Sequence, residues 1–155
     1  MKKLRMIITL ALLLCIGAMT VEAQTNFQSN NNNATMNTNN ETLQGILNAI
    51  ELYAEAGRKA SREIGEKAFT KEAIMSWVEK GVITTVPVNV LFDGLEKTGE
   101  EEVTYNVEDI TVAGNVAFVR ISSWFSKLGS YNDMFTLAQQ ENGNWKIVNK
   151  IYSVK

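Results

Sequence analysis

From Leu43 onward, apolar residues recur at three- and four-residue steps: Leu43, Ile46, Leu47, Ile50, Tyr53 and Ala54. That period predicts an amphipathic helix running to about Ala56, with Gly57 near its end and Arg58 and Lys59 suited to the C-terminal dipole. A shorter helix is expected from about Ser61 to Ala68, with Ile64 and Phe69 as its apolar contacts. The next segment, residues 73–86, could continue as a helix, but Glu79-Lys80-Gly81 leads into Val82-Ile83-Thr84-Thr85-Val86. Branched residues after a glycine turn favour strand, turn, strand. Pro87 then fits the first turn of a third helix. Val88, Leu91, Phe92 and Leu95 lie on one face of that helix, which should stop by Gly99.

Beyond Val103 the period changes from helical to two. Glu100, Glu101 and Glu102 read as a solvated loop. Strands are expected over 104–112 and 116–125, separated by Ala113-Gly114-Asn115. The last stretch, Tyr131 to Lys155, carries two alternating arms joined by Glu141-Asn142-Gly143-Asn144, and the Asn-Gly pair tolerates the positive φ of a hairpin turn. Helices first and a four-stranded meander later predict an α+β fold, with three helices packed on one face of an antiparallel sheet. Both faces of that sheet carry apolar side chains. Ala117, Val119, Ile121 and Phe125 share one face, and Val116, Phe118 and Trp124 the other, with Arg120 also facing away from Val119 and Ile121. One face should meet the helices; a homodimer formed through the sheet would cover the second.

Composition alters the picture mainly at the N-terminus. Lys2, Lys3 and Arg5 precede an apolar run from Met6 to Met19 and then Val21-Glu22-Ala23, the layout of a secretory signal cleaved after Ala23. Leu14 stands before Cys15 where lipidation needs a small residue. An exported protein, periplasmic or secreted, is therefore expected. Residues 24–41 are nearly half asparagine and read as a disordered linker, because so few apolar side chains cannot offset chain entropy. Removing residues 1–23 leaves twelve basic against sixteen acidic residues, a net charge of −4, and takes away the only cysteine. An acidic chain with no basic cluster argues against a nucleic-acid partner. The chain has no histidine, which excludes histidine metal sites, histidine bases and Ser-His or Cys-His pairs. No cofactor or metal is expected. Residues 42–155 suffice for one domain with one core.

Two segments carry a family resemblance. Tyr131-Asn132-Asp133-Met134-Phe135-Thr136-Leu137 and Gly143-Asn144-Trp145-Lys146-Ile147-Val148-Asn149-Lys150-Ile151, together with the element order, resemble the nuclear transport factor 2-like (NTF2-like) superfamily. The similarity points most to its bacterial lumazine-binding group, near the SnoaL-like (polyketide-cyclase-like) and ketosteroid-isomerase-like branches. The resemblance implies a cone-shaped (cystatin-like) domain over residues 42–155, whose curved sheet wraps a pocket roofed by helices. Ala68-Phe69-Thr70-Lys71-Glu72-Ala73 resembles a second family segment in which His and Pro follow the Phe; Thr70 and Lys71 stand there instead, so that possible acid, base or ligand is missing.

Asp133 is the candidate catalytic residue. Alternation places it with Tyr131, Phe135 and Leu137 on the core face, where a desolvated carboxylate could act as a general base. Equally it could be structural, bonded to a backbone amide or to Lys150. Asn149 interrupts the apolar stripe of Trp145, Ile147 and Ile151, and Ser123 sits between Ile121 and Phe125; each could orient a ligand or satisfy a neighbouring strand. Tyr53 and Trp77 could stack on a flat guest or pack in the core. The expected ligand-binding set is thus Tyr53, Trp77, Ser123, Tyr131, Asp133, Phe135 and Asn149. Two functions are open: a secreted, non-catalytic module holding a small apolar or heteroaromatic ligand, or an isomerase- or cyclase-type enzyme with Asp133 as base and Tyr53 or Tyr131 as donor. A dimeric interaction domain with a collapsed pocket is a third. All site assignments assume strict alternation, and a one-residue bulge would invert part of a strand.

Overall fold

The computed structural model describes residues 39–155. The expected signal and most of the linker therefore lie outside the described residues. Helix α1 spans Asn40–Arg58, and the Asn39 side chain caps it by accepting from the Thr42 amide at 2.7 Å. Its inner stripe is Ile46, Ala49, Ile50, Tyr53 and Ala54, all buried. Helix α2, Arg62–Ala68, is capped by Ser61. The chain then turns directly into β1, Phe69–Glu79, and returns through β2, Val82–Pro87. Lys80 and Gly81 both have positive φ, the conformation a two-residue hairpin turn requires.

Pro87 closes β2 opposite Ile74 rather than opening a helix. β2 lies at the edge of the sheet, where a missing N–H costs no ladder bond. Helix α3 follows at Asn89–Thr98, burying Phe92 and Leu95. Glu101 also departs from the solvated loop expected of it. It is nearly buried, and its carboxylate accepts the Lys127 amide at 2.7 Å, pinning the loop before β3 to the β4–β5 turn.

Strands β3 (Val103–Ala113), β4 (Val116–Phe125), β5 (Gly129–Gln139) and β6 (Trp145–Val154) form the expected meander. The full sheet has six strands in the order β2-β1-β6-β5-β4-β3. All pairings are antiparallel except β1 with β6, which run parallel because α3 and the meander lie between them in the chain. The helices cover one face, and the core gathers Ile46, Ile50, Phe92, Ile121, Leu137 and Ile147 between the layers.

One irregularity sets the interior. Leu137 pairs with Ile147, but the preceding Thr136 pairs with Asn149, so Val148 is an extra residue in β6. That bulge reverses the side-chain phase beyond it. Trp145 and Ile147 point inward as expected, but so do Lys150 and Tyr152, while Ile151 turns outward and is exposed.

Candidate functional site

A cavity of about 200 Å³ opens between α3 and the concave sheet face. Its roof is Val90, Leu91, Gly94, Leu95 and Thr98 of α3; Tyr53 of α1 and Met75 of β1 wall it. Phe125, Leu128, Tyr131, Tyr152 and Lys150 complete the lining, and Lys150 is the only charged residue among the described residues that line it. The volume suits a guest of one or two rings, below the usual range for drug-sized ligands.

Lys150 is 3% exposed and Asp133 fully buried. The register places Lys150 opposite Phe135 and Asp133 opposite Tyr152, so the two are diagonal neighbours on one face. Lys150 Nζ donates to Asp133 Oδ1 at 2.5 Å. The other carboxylate oxygen, Oδ2, accepts from Ser123 Oγ at 2.6 Å and, more weakly, from the Tyr53 hydroxyl at 3.5 Å. The ammonium also sits 4.2 Å from the Tyr152 ring centre, with the rings of Tyr53 and Phe135 at 5.6 and 5.9 Å. The negative ring faces add to the attraction of the carboxylate. Burial lowers the Lys150 pKa below the ordinary lysine value, with the Asp133 carboxylate pulling the other way. Burial, and then the same carboxylate, push the Tyr53 phenol well above its ordinary value. Tyr131 and Tyr152 are raised mainly by burial. All three tyrosines are therefore neutral hydroxyls at physiological pH.

The expected site residues separate into four groups. Tyr53 and Tyr131 reach the cavity wall. Ser123, Asp133 and Phe135 lie behind that wall: Ser123 and Asp133 in the bonded cluster, Phe135 packed edge-on against Tyr53 at 5.1 Å. Asp133, the candidate base, lines no part of the cavity, and its oxygens already accept three donors. It matches the structural alternative, with Lys150 as partner. Trp77 stands beside the pocket against Tyr152, ring centres 5.7 Å apart, rather than in its lining. Asn149 is a correction: the bulge at Val148 turns it to the outer face, beside Phe118, Met134 and Ile151. Its side-chain oxygen is buried there without a partner among the described residues. Lys150 and Tyr152 were missed as lining residues for the same reason, since strict alternation puts both outside. The α3 residues Val90 and Gly94 carried no signal, because they lie off that helix's apolar face.

Among the described residues, no three His, Cys, Asp or Glu side chains cluster to hold a metal ion. No described helix is long and apolar enough to cross a membrane.

The model of the family described as "Putative lumazine-binding" matches residues 41–153. The chain belongs to this family. No curated protein matches significantly. Among solved structures, an NTF2-like protein of unknown function from Shewanella baltica is 28% identical, with a TM-score of 0.69 over 76% of this chain and 97% of that one. Another NTF2-like protein of unknown function, from Silicibacter pomeroyi, is 21% identical with a TM-score of 0.67, over 76% of this chain and 99% of its own. A ketosteroid isomerase-like protein from Erwinia carotovora atroseptica is 18% identical with a TM-score of 0.56, covering 74% and 97%. These last two similarities bear on the fold alone. The lumazine-binding family member thus has the NTF2-like α+β fold expected from its meander segments.

Proposed function

We propose that this lumazine-binding family member is a non-catalytic small-molecule-binding domain, holding a small apolar or heteroaromatic ligand under α3. The observation that carries this is a cavity whose described lining is mostly apolar and aromatic and carries a single charge, one buried ammonium. Aromatic walls favour a flat guest, and one fixed polar group orients it. The family description points the same way. An isomerase or cyclase with Asp133 as base has less support. A base must reach the proton it removes, and Asp133 is fully buried behind the wall, held by Lys150, Ser123 and Tyr53.

Native mass spectrometry of protein purified from its source tests the binding. A co-purifying ligand, lost on replacing Leu91 with a bulkier Trp that fills the cavity, is the expected result. An empty protein that also takes up no ring compound from a small library would overturn it.

Export and dimerisation belong to the same proposal. The basic, apolar and small-residue pattern of residues 1–23 supports cleavage after Ala23, to be checked by N-terminal sequencing for a chain beginning at Gln24. Phe118, Trp124, Met134 and Ile151 are 42–57% exposed on the outer sheet face, which supports a second copy as their cover. The amide oxygen of Asn149 on that face, without a partner among the described residues, is one that a second copy's donor would satisfy.

A further inference from the structure

Lys150 is an unusual choice for the wall of an apolar pocket. A buried ion pair contributes little net stability compared with apolar residues of similar volume. Here the ammonium has one hydrogen-bond acceptor among the described residues, Asp133 Oδ1, leaving N–H groups without an acceptor beside a cavity large enough for a guest. Its nitrogen lies over the face of Tyr152, with the Phe135 ring further off. A desolvated lysine in an apolar pocket is the environment in which an amine becomes a nucleophile toward carbonyl carbon. The proton acceptor that such chemistry needs is already in contact, and Ser123 and Tyr53 hold it in place.

We propose that Lys150 captures a small aldehyde or ketone in the pocket as a Schiff base, with Asp133 carrying the protons. Capture of this kind presupposes that the pocket takes a ligand, and it names that ligand's class. The ammonium passes a proton to Asp133 Oδ1 along their 2.5 Å hydrogen bond. The freed lone pair attacks the carbonyl carbon; a C–N bond forms and the C=O π pair moves to oxygen. Two protons reach that oxygen by way of the nitrogen bonded to the same carbon, and Asp133, which of the reacting atoms touches only that nitrogen, returns to it the proton it had taken. The C–O bond then breaks, water leaves, and the nitrogen lone pair forms C=N. The product is a protonated iminium beside an ionised Asp133, so the buried charge pair is the same before and after. The Tyr152 face that attracts the ammonium attracts the iminium equally. No oxidant, reductant or second substrate is required. Burial, which lowers the Lys150 pKa, increases the free amine available at neutral pH.

The test is reductive trapping. The purified protein is incubated with limiting benzaldehyde at pH 7 and sodium cyanoborohydride, then digested and mapped by mass spectrometry, while uptake without reductant is followed by calorimetry. The expected result is an adduct at Lys150 forming about tenfold faster than at surface lysines, because the pocket holds the aldehyde against a desolvated amine. Lys150→Arg, which keeps the charge but not the nucleophile, should lose the adduct. Should that variant not fold, the paired D133N/K150M replacement serves in its place. Saturable uptake with no Lys150 adduct, or adducts confined to surface lysines, overturns capture and leaves the pocket as a binding site. Neither uptake nor adduct overturns both.

Discussion

At the scale of single residues, the buried pair of Lys150 and Asp133 governs both stability and chemistry. Removing one partner strands the other charge in a low-dielectric interior. Lys150→Met should therefore cost about 3–5 kcal/mol, whereas D133N/K150M should recover most of that loss, because no uncompensated charge remains. Urea denaturation of the three proteins measures both effects. Tyr53 supplies a second, pH-dependent signature. Its folded pKa is raised, chiefly by burial and then by Asp133. The folded state therefore keeps a proton that the unfolded chain releases near pH 10. That contribution is intact below about pH 10 and lost as pH rises further. Lys150, whose folded pKa is lowered, acts in the opposite sense, adding stability as pH rises toward the unfolded lysine value. Comparing wild type with Tyr53→Phe isolates the tyrosine: between pH 9 and 11 the wild type should lose stability more steeply. Parallel curves would show that Tyr53 does not titrate differently on unfolding. In the sequence, Asp133 was legible as a polar residue on a core face. Lys150 was legible only as a possible partner of Asp133; its place in the pocket lining was not, because nothing in Ile147-Val148-Asn149-Lys150 marks an extra residue.

At the scale of elements, the helices were readable from their apolar period, and what they touch was not. Gly65 in α2 and Gly94 in α3 look equivalent in the chain, each a weak helix former. A Cβ at Gly65 would lie 2.4 Å from the Phe92 ring, whereas one at Gly94 would meet nothing within 4 Å. Gly65→Ala should therefore destabilise by about 1–3 kcal/mol through overpacking, despite its gain in helix propensity. Gly94→Ala should stabilise by about 0.5–1 kcal/mol. Thermal melts of the two variants check the contrast, and equal effects would mean that α2 and α3 do not meet as described. The segment from Ala73 to Val86 was readable as a hairpin, since Lys80-Gly81 supplies the turn and branched residues fill its second arm. Pro87, read as a helix start, instead ends a strand, because its fixed φ suits a helix start and an edge-strand end equally. Position at the sheet edge, set by the parallel pairing of β1 with β6, decided between them.

At the scale of the whole molecule, the outer sheet face predicts assembly. Replacing Phe118 and Met134 together with Asp places charge on that face without touching the core. Sedimentation should show a dimer for the wild type and a monomer for the variant, with the pocket still formed in each. A monomeric wild type would leave the exposed apolar face for some other cover. The α+β order, the meander and the inward faces of β4 and β5 followed from alternation, and the pocket followed from the resemblance those strands carry. The α3 roof and the inward turn of Lys150 and Tyr152 did not.

The chain by itself determined which segments are helix and which strand, because periods of 3.6 and 2 are local properties of backbone geometry. It also determined which faces of α1, β4 and β5 must be buried, because apolar area leaves water wherever the fold allows. Only the tertiary structure decided the phase of β6 after Val148. A bulge depends on how β5 and β1 pair on either side of it, and that pairing is a property of the assembled sheet. On that single extra residue depends whether Lys150 faces solvent or lines the pocket beside Asp133.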